Sequence, residues 1–259
     1  MNSHFYVTLP SDSSAGCYPN NTVARFVTKL PERIRIEGDY EVGLAEIIYP
    51  HSWYNIDNED KKYWIAAIPE REKSFPKLYL ESGYYEDGLA LAAALNRECD
   101  RAIGGLDVKF SYSETFGRFS LKVAATGPYL FGMSEDLQRY MGFDLNAVTF
   151  NSDKKSFGAM AERAFDVNRG LNLMYVYCDV ASHAIIGDTK TPLLRVCNVV
   201  GKHGDVVRHS YDQPHYVPVE RREFDTIEVA INNELGEPMP FEYGKSVVTL
   251  HFRRRFAKL

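Results

Sequence analysis

Histidine and cysteine are the side chains of this 259-residue sequence that could bind a transition metal. The seven histidines are scattered, and none pairs with another histidine or a cysteine at the spacing of a zinc site. His209 and His215 are six residues apart, in a predicted strand-to-strand connection, but no third ligand can be named for them. The sequence therefore predicts no metal site and no cofactor.

The cysteines are Cys17, Cys99, Cys178 and Cys197. They lie far apart and form no C-x-x-C motif, so they predict free thiols of a reducing compartment and no disulfide framework.

Residues that could act as nucleophiles or as acid–base pairs are the second possibility. The sequence has no G-x-S-x-G motif and no cysteine in a protease context. The pairs Glu86-Asp87 and Glu135-Asp136 fall at the starts of predicted helices, where carboxylates favour the positive end of the helix dipole. The glycine-containing segment 201–205 lacks the Lys-Ser/Thr pair of a phosphate-binding loop. We therefore predict no catalytic residue and no enzyme.

One basic cluster stands out, formed by Arg253, Arg254 and Arg255 and followed by Lys258. One interpretation is a basic inner face that contacts nucleic acid or an acidic partner, because cations near phosphates release counterions. The other is a solvated tail that blunts an edge strand. The sequence leaves both open.

Composition limits the partners further. The net charge is -5, so there is no general electrostatic reason to bind nucleic acid. No apolar run approaches the ~20 residues that span a bilayer, and the N-terminal residues show no signal-peptide pattern.

Alternating apolar residues predict a chain made mostly of strands. Strands are predicted at 4–10, 22–30, 32–38, 39–50, 62–69, 77–82, 173–181, 191–201, 205–211 and 215–219, with a hairpin at 107–123. Helices are predicted at 86–103, ended by Gly104-Gly105, and at 134–141, and 144–170 reads as a long loop.

The segment 224–252 predicts a closing hairpin. Its first strand carries Phe224, which has the opposite parity to Ile227 and marks a bulge. The turn is assigned to Gly236 and Pro238. The second strand turns one face inward through Val248, Leu250 and Phe252. Many short antiparallel strands with two helices indicate an all-β sandwich or barrel.

Two stretches of the sequence resemble a known family. The matching residues are Tyr216-Val217-Pro218, Phe224 to Ile231, Gly236, Pro240-Phe241, Gly244 and Leu250 to Arg253, then Gly83-Tyr84-Tyr85, Leu91, Leu95, Asn96, the Phe110–Gly117–Phe119 hairpin and Leu137 to Phe143. These stretches span about two fifths of the chain and are similar to minor capsid (penton) proteins of Polinton/Maverick elements and adintoviruses.

The resemblance implies a single jelly-roll β-sandwich, two antiparallel sheets packed face to face, over residues 1–259. The two short helices would lie in excursions between strands, within 82–170. It also implies a homopentamer at the five-fold vertices of an icosahedral capsid, in contact with a double jelly-roll major capsid protein and weakly with packaged DNA. Such a protein is located in the virion, is made in the host cytoplasm or assembled in the nucleus, and has no membrane partner.

Two other functions fit a β-sandwich. A cellular lectin-like binding module would use exposed tyrosines to stack on sugars. A cupin-like metalloenzyme would need clustered histidines on facing strands, which the sequence pattern does not offer.

Overall fold

Antiparallel strands dominate the structure, a computed structural model that describes residues 4–69, 77–103, 106–125, 129–144, 150–152 and 156–255. The all-β class is confirmed. The chain divides into two compact units, residues 1–53 with 170–259 and residues 54–169.

The first unit contains β1 (His4–Pro10), β2 (Arg25–Arg35), β3 (Tyr40–Pro50), β11 (Leu173–Cys178), β12 (Ala184–Ile186), β13 (Thr189–Thr191), β14 (Leu193–Asn198), β15 (Val206–Ser210), β16 (Tyr216–Pro218), β17 (Glu223–Asn232) and β18 (Val247–Arg254). The second contains β4 (Trp64–Pro69), β5 (Lys77–Tyr79), α1 (Gly88–Ala102), β6 (Leu106–Ser113), β7 (Arg118–Ala125), β8 (Tyr129–Met133), α2 (Glu135–Met141), β9 (Phe150–Ser152) and β10 (Ser156–Met160).

Two sheets of the first unit face each other across one apolar core. Sheet A has the order β1-β18-β3-β15, with β16 also paired to β3, and sheet B has the order β14-β11-β17-β2. From β1 to β3, and again from β16 to β18, each strand lies in the sheet opposite to its predecessor. This alternation produces the jelly roll, and it buries the inward side chains of both sheets in a shared interior.

The predicted closing hairpin is wrong, because β17 and β18 lie in different sheets. After β17 the chain makes a turn in which the Asn233 carboxamide oxygen accepts hydrogen bonds from the N–H groups of Leu235 (2.9 Å) and Glu237 (3.0 Å). Met239 then pairs back to Ile231, with N–H to O at 2.9 Å, before the chain crosses to sheet A. The turn at Gly236 exists, but it ends β17 without setting the register of β18.

The predicted inward face of β18 is confirmed. Val248, Leu250 and Phe252 are fully buried, and each contributes on the order of 1.5–3 kcal/mol. The idea that β18 is an edge strand is wrong, because β1 pairs with one side of it and β3 with the other. Its register is held by two neighbouring strands instead of by its own turn.

Bulges explain two irregular patterns. The register between β17 and β2 shifts between Phe224 and Thr226, which confirms the predicted bulge and lets Phe224 enter the core. Because Phe224 faces Ile34 and Thr226 faces Lys29, residues 30–33 of β2 loop out opposite one residue. The two strands predicted over 22–38 are therefore one edge strand, where Pro31 removes no ladder hydrogen bond.

The second unit has its own hydrophobic core. Its strands form one sheet with the order β5-β4-β8-β9 and another with the order β10-β7-β6. The helix α1 packs against this core through Leu91, Leu95 and Cys99, which are buried. Asn96 fixes the helix to β6, since its carboxamide donates to Phe110 O (2.9 Å) and accepts from Phe110 N–H (2.7 Å).

Both helices begin at a capping side chain. The Asp87 carboxylate accepts the N–H of Ala90 at 2.7 Å, and the Ser134 hydroxyl accepts that of Leu137 at 3.3 Å. Gly142 ends α2 with φ of 84°, a conformation that glycine adopts without strain. The predicted helix end at Gly104-Gly105 lies outside the described residues.

The region 144–170 differs from the predicted long loop. Strand β9 (Phe150–Ser152) pairs with β8, and β10 (Ser156–Met160) pairs with β7. Both strands are short and carry one or more small or polar residues, which weakened their alternation signal. The predicted excursion 82–170 falls almost entirely within the second unit, whose range is Tyr54–Arg169.

Candidate partner-contact surface

The residues of the predicted basic cluster have different surroundings. Arg253 lies near the end of β18, with its guanidinium 2.5 Å from the Glu41 carboxylate and 3.5 Å above the ring of Tyr216. This charge is therefore compensated within sheet A. Lys258 lies outside the described residues.

The other two arginines remain exposed at the end of β18. The Arg254 guanidinium lies beside Gly38, and the backbone N–H of Arg255 donates to Asp39 O at 2.7 Å. The sequence brings these side chains to one place, but Asp39 and Glu41 border them, so the surface has mixed charge.

Aromatic and histidine side chains form a second cluster, on the outer face of sheet A. The His251 ring stacks on Tyr6 at 4.3 Å between centroids, and its Nδ1 lies 2.7 Å from the Tyr216 hydroxyl. Burial, helped by the nearby His4 and Arg253, lowers the pKa of His251 below the ordinary histidine value. Sequence reasoning missed this cluster because alternation assigns residues to a face without showing which strands are neighbours.

This face carries a groove of about 480 Å³ beside the cluster. Tyr6, Tyr216 and His251 line one part of it, and Glu46 and Arg208 line another. The Glu46 carboxylate accepts from Arg208 Nε (2.6 Å) and from the Ser210 hydroxyl (3.1 Å). The Glu46 carboxylate in this groove is thus paired with neighbouring side chains of the protein.

The two histidines considered for a metal site do not form one. His209 lies in β15, where its ring stacks on Tyr49 and Tyr211, and His215 is exposed just before β16. Across the described ranges, no group of three or more histidine, cysteine or acidic side chains is arranged to hold a metal ion. Within the same ranges, no helix is long and apolar enough to cross a membrane.

Two opposite flanks of the jelly roll expose edge strands. The β1–β2 flank contains one edge strand of sheet A and one of sheet B. The β14–β15 flank contains the other edge of sheet B and the other edge of sheet A, which β15 shares with β16. A groove of about 670 Å³ lies between β1 and β2. Its apolar lining includes Phe5, Val7, Leu9, Leu30 and Ile34.

The edge of β2 is covered by the preceding loop. The Asn21 carboxamide donates to Val27 O and accepts from Val27 N–H, both at 2.9 Å. The Ser14 hydroxyl accepts the N–H of Lys29 at 3.0 Å. These side chains occupy the groups that would otherwise pair with another strand. Sequence reasoning missed this cap, because its partners lie outside any recognised turn motif.

The β14–β15 flank exposes three valines. Val196 on β14, Val200 in the connection and Val206 on β15 are 40%, 45% and 74% exposed. Two of them, Val196 and Val206, lie on strands at the edges of their sheets.

Comparison with known proteins gives one finding about the fold. No protein-family description and no curated protein matches the sequence. The chain is similar in structure to the mavirus penton protein, known from a crystal structure, with a TM-score of 0.50 and 11% sequence identity. The alignment covers 97% of this chain and 98% of that chain, so the likeness extends over both units.

Proposed function

We propose that this chain is a minor capsid (penton) protein of the Polinton/Maverick and adintovirus type. Its role is structural and not enzymatic. Five copies form a ring at each five-fold vertex of an icosahedral capsid, in contact with a double jelly-roll major capsid protein, and the assembled protein is located in the virion.

The observation that carries this proposal is the full-length likeness in fold to the mavirus penton protein. The alignment covers 97% of the chain and so includes the second unit, which a resemblance between jelly rolls alone would leave out. We further propose that residues 1–259 act as one capsid subunit, with Tyr54–Arg169 as an insertion into the jelly-roll sequence.

The surface of the first unit is compatible with a ring. A head-to-tail contact joins two different patches of the same subunit, and the β1–β2 and β14–β15 flanks are such a pair. Stable contacts bury roughly 1,200–2,000 Å² in total, and a net charge of -5 allows close approach of copies. The mixed charge around Arg254 and Arg255 fits a weak contact with DNA or with an acidic partner.

Native mass spectrometry of the purified protein at micromolar concentration tests the proposal, with negative-stain images of the same sample. The expected result is a five-copy ring, formed alone or on addition of the major capsid protein. A strict monomer at every concentration and salt, with no recruitment by that partner, would overturn it. Binding of glycans by such a monomer would instead support the lectin-like function, with the outer-face groove as its site.

A further inference from the structure

The edge of β1 is open, whereas that of β2 is covered. β1 has β18 as its neighbour on one side and no strand on the other among the described residues. Ser11 N–H donates to Ser246 O (2.9 Å), so the alternation of an antiparallel ladder directs the backbone groups of Val7 and Leu9 toward β18. The N–H and C=O groups of Tyr6 and Thr8 therefore point away from the sheet.

The edge of β15 has the same geometry on the opposite flank. Tyr211 N–H donates to Ala45 O at 2.8 Å, which places His209 and Val207 in hydrogen-bonded pairs with β3. The backbone groups of Val206 and Arg208 consequently point outward. Val206 is the most exposed side chain of the three valines on this flank.

We propose that β15 of a second copy of this chain pairs with the open edge of β1, so that sheet A continues from one subunit into the next. This inference rests on the proposed function, and it assigns the two surfaces that the ring would join. Val206 lies on the outer face of sheet A, because the next residue, Val207, is buried, and in this pairing it packs beside Tyr6 and Thr8 of β1. Because the preceding loop covers the edge of β2, a strand can be added on this flank only to sheet A.

Strand direction supports a head-to-tail arrangement. β1 is antiparallel to β18, β18 to β3 and β3 to β15, so β1 and β15 run in opposite directions within one subunit. A neighbour that repeats the same orientation around an axis near the strand direction brings its β15 antiparallel to β1. Each copy then uses both flanks once, and the contact propagates until the ring closes.

The first test compares two substitutions of the same chemistry. Val206→Lys places a charge on the proposed contact, and Ile185→Lys places it on a similarly exposed apolar residue of the separate two-stranded sheet β12-β13. We expect Val206→Lys to raise the protein concentration at which half of the subunits are assembled by roughly ten-fold or more. Ile185→Lys should assemble like the parent. Equal assembly of the two variants would overturn the proposed pairing.

The second test uses cross-linking to distinguish the contact geometry. Thr8→Cys and Val206→Cys are made separately in a Cys17→Ser background, which removes the exposed native thiol. A short bismaleimide should link the two variants only when they are mixed. Dimers of Thr8→Cys alone would indicate a two-fold contact between β1 edges and would overturn the head-to-tail pairing.

Failure of the pairing is distinguishable from failure of the proposed function. If the parent and Val206→Lys both form rings of five, and the mixed cysteine variants do not cross-link, the proposed function stands and this interface is excluded. A parent that stays monomeric with the major capsid protein present would exclude both.

Discussion

Replacing Leu250 should remove a large share of the stability of the jelly roll. The side chain is fully buried at the centre of β18, with Val7 of β1 and Leu44 of β3 as register partners. Truncation of a buried leucine to alanine costs about 2–5 kcal/mol through lost transfer energy and an unfilled cavity. Close packing from two paired strands limits collapse around the site, so we expect the upper half of that range for Leu250→Ala. A domain with about 5–15 kcal/mol in total would remain folded but marginal.

Equilibrium urea unfolding measures this cost as a lower midpoint with an unchanged slope. The matched control is Thr249→Ala, one residue away on the outer face, which removes a hydroxyl contact to Thr8 (3.2 Å) and should cost about 0.5–1.5 kcal/mol. Leu250→Asp should yield no soluble folded protein, because an unpaired buried carboxylate costs several kcal/mol. Arg254→Ala should lie within about 0.5 kcal/mol of the parent. A loss below about 1 kcal/mol for Leu250→Ala, or a larger loss for Thr249→Ala, would refute the assignment of faces on β18.

Three further outcomes are expected. Thiol reagents should label Cys17 in the native protein, while Cys99 and Cys178 react only on unfolding because burial raises the pKa of each thiol to about 12; rapid native labelling of all four would contradict their burial. Asn21→Ala should cost about 1–3 kcal/mol in urea unfolding, since it leaves Val27 N–H and C=O without their partner, and it should increase irregular association seen by light scattering. Stability should fall as pH drops below about 6.5, because burial lowers the pKa of His251 in the folded state and the unfolded state then binds the proton more readily. Urea midpoints measured between about pH 7.5 and 5.5 give this dependence of stability on pH, and His251→Asn should weaken it. An unchanged dependence in that variant would exclude His251 as its source.

The strands with clear alternation could be predicted from the sequence, and their partners could not. The pattern in β18 correctly assigned Val248, Leu250 and Phe252 to the core, because period-two burial is a local property. Whether β17 and β18 share a sheet depends on the path of residues 233–246, and a turn at Gly236 is compatible with either arrangement. The hairpin prediction failed for that reason.

The contact surfaces depend still more on tertiary structure. The arginine cluster was visible as a run of charges, but its compensation by Glu41 depends on the pairing of β18 with β3. The open edge of β1 and the cap by Asn21 follow from strand order in the two sheets. Nothing in the local pattern of residues 4–10 distinguishes an edge strand from an interior one.

The pairing of β1 with β18 has a consequence for synthesis in the cell. Thr8 and Thr249 touch across sheet A although 241 residues separate them. At roughly 5–20 residues per second, β1 leaves the ribosome roughly ten to fifty seconds before its partner strand exists. The contiguous residues 54–169 can reach their own sheets and helices during that interval, because their pairings are internal. Sheet A instead stays divided until β18 inserts between β1 and β3, so closing the jelly roll is a late event that a cell must protect from premature strand pairing.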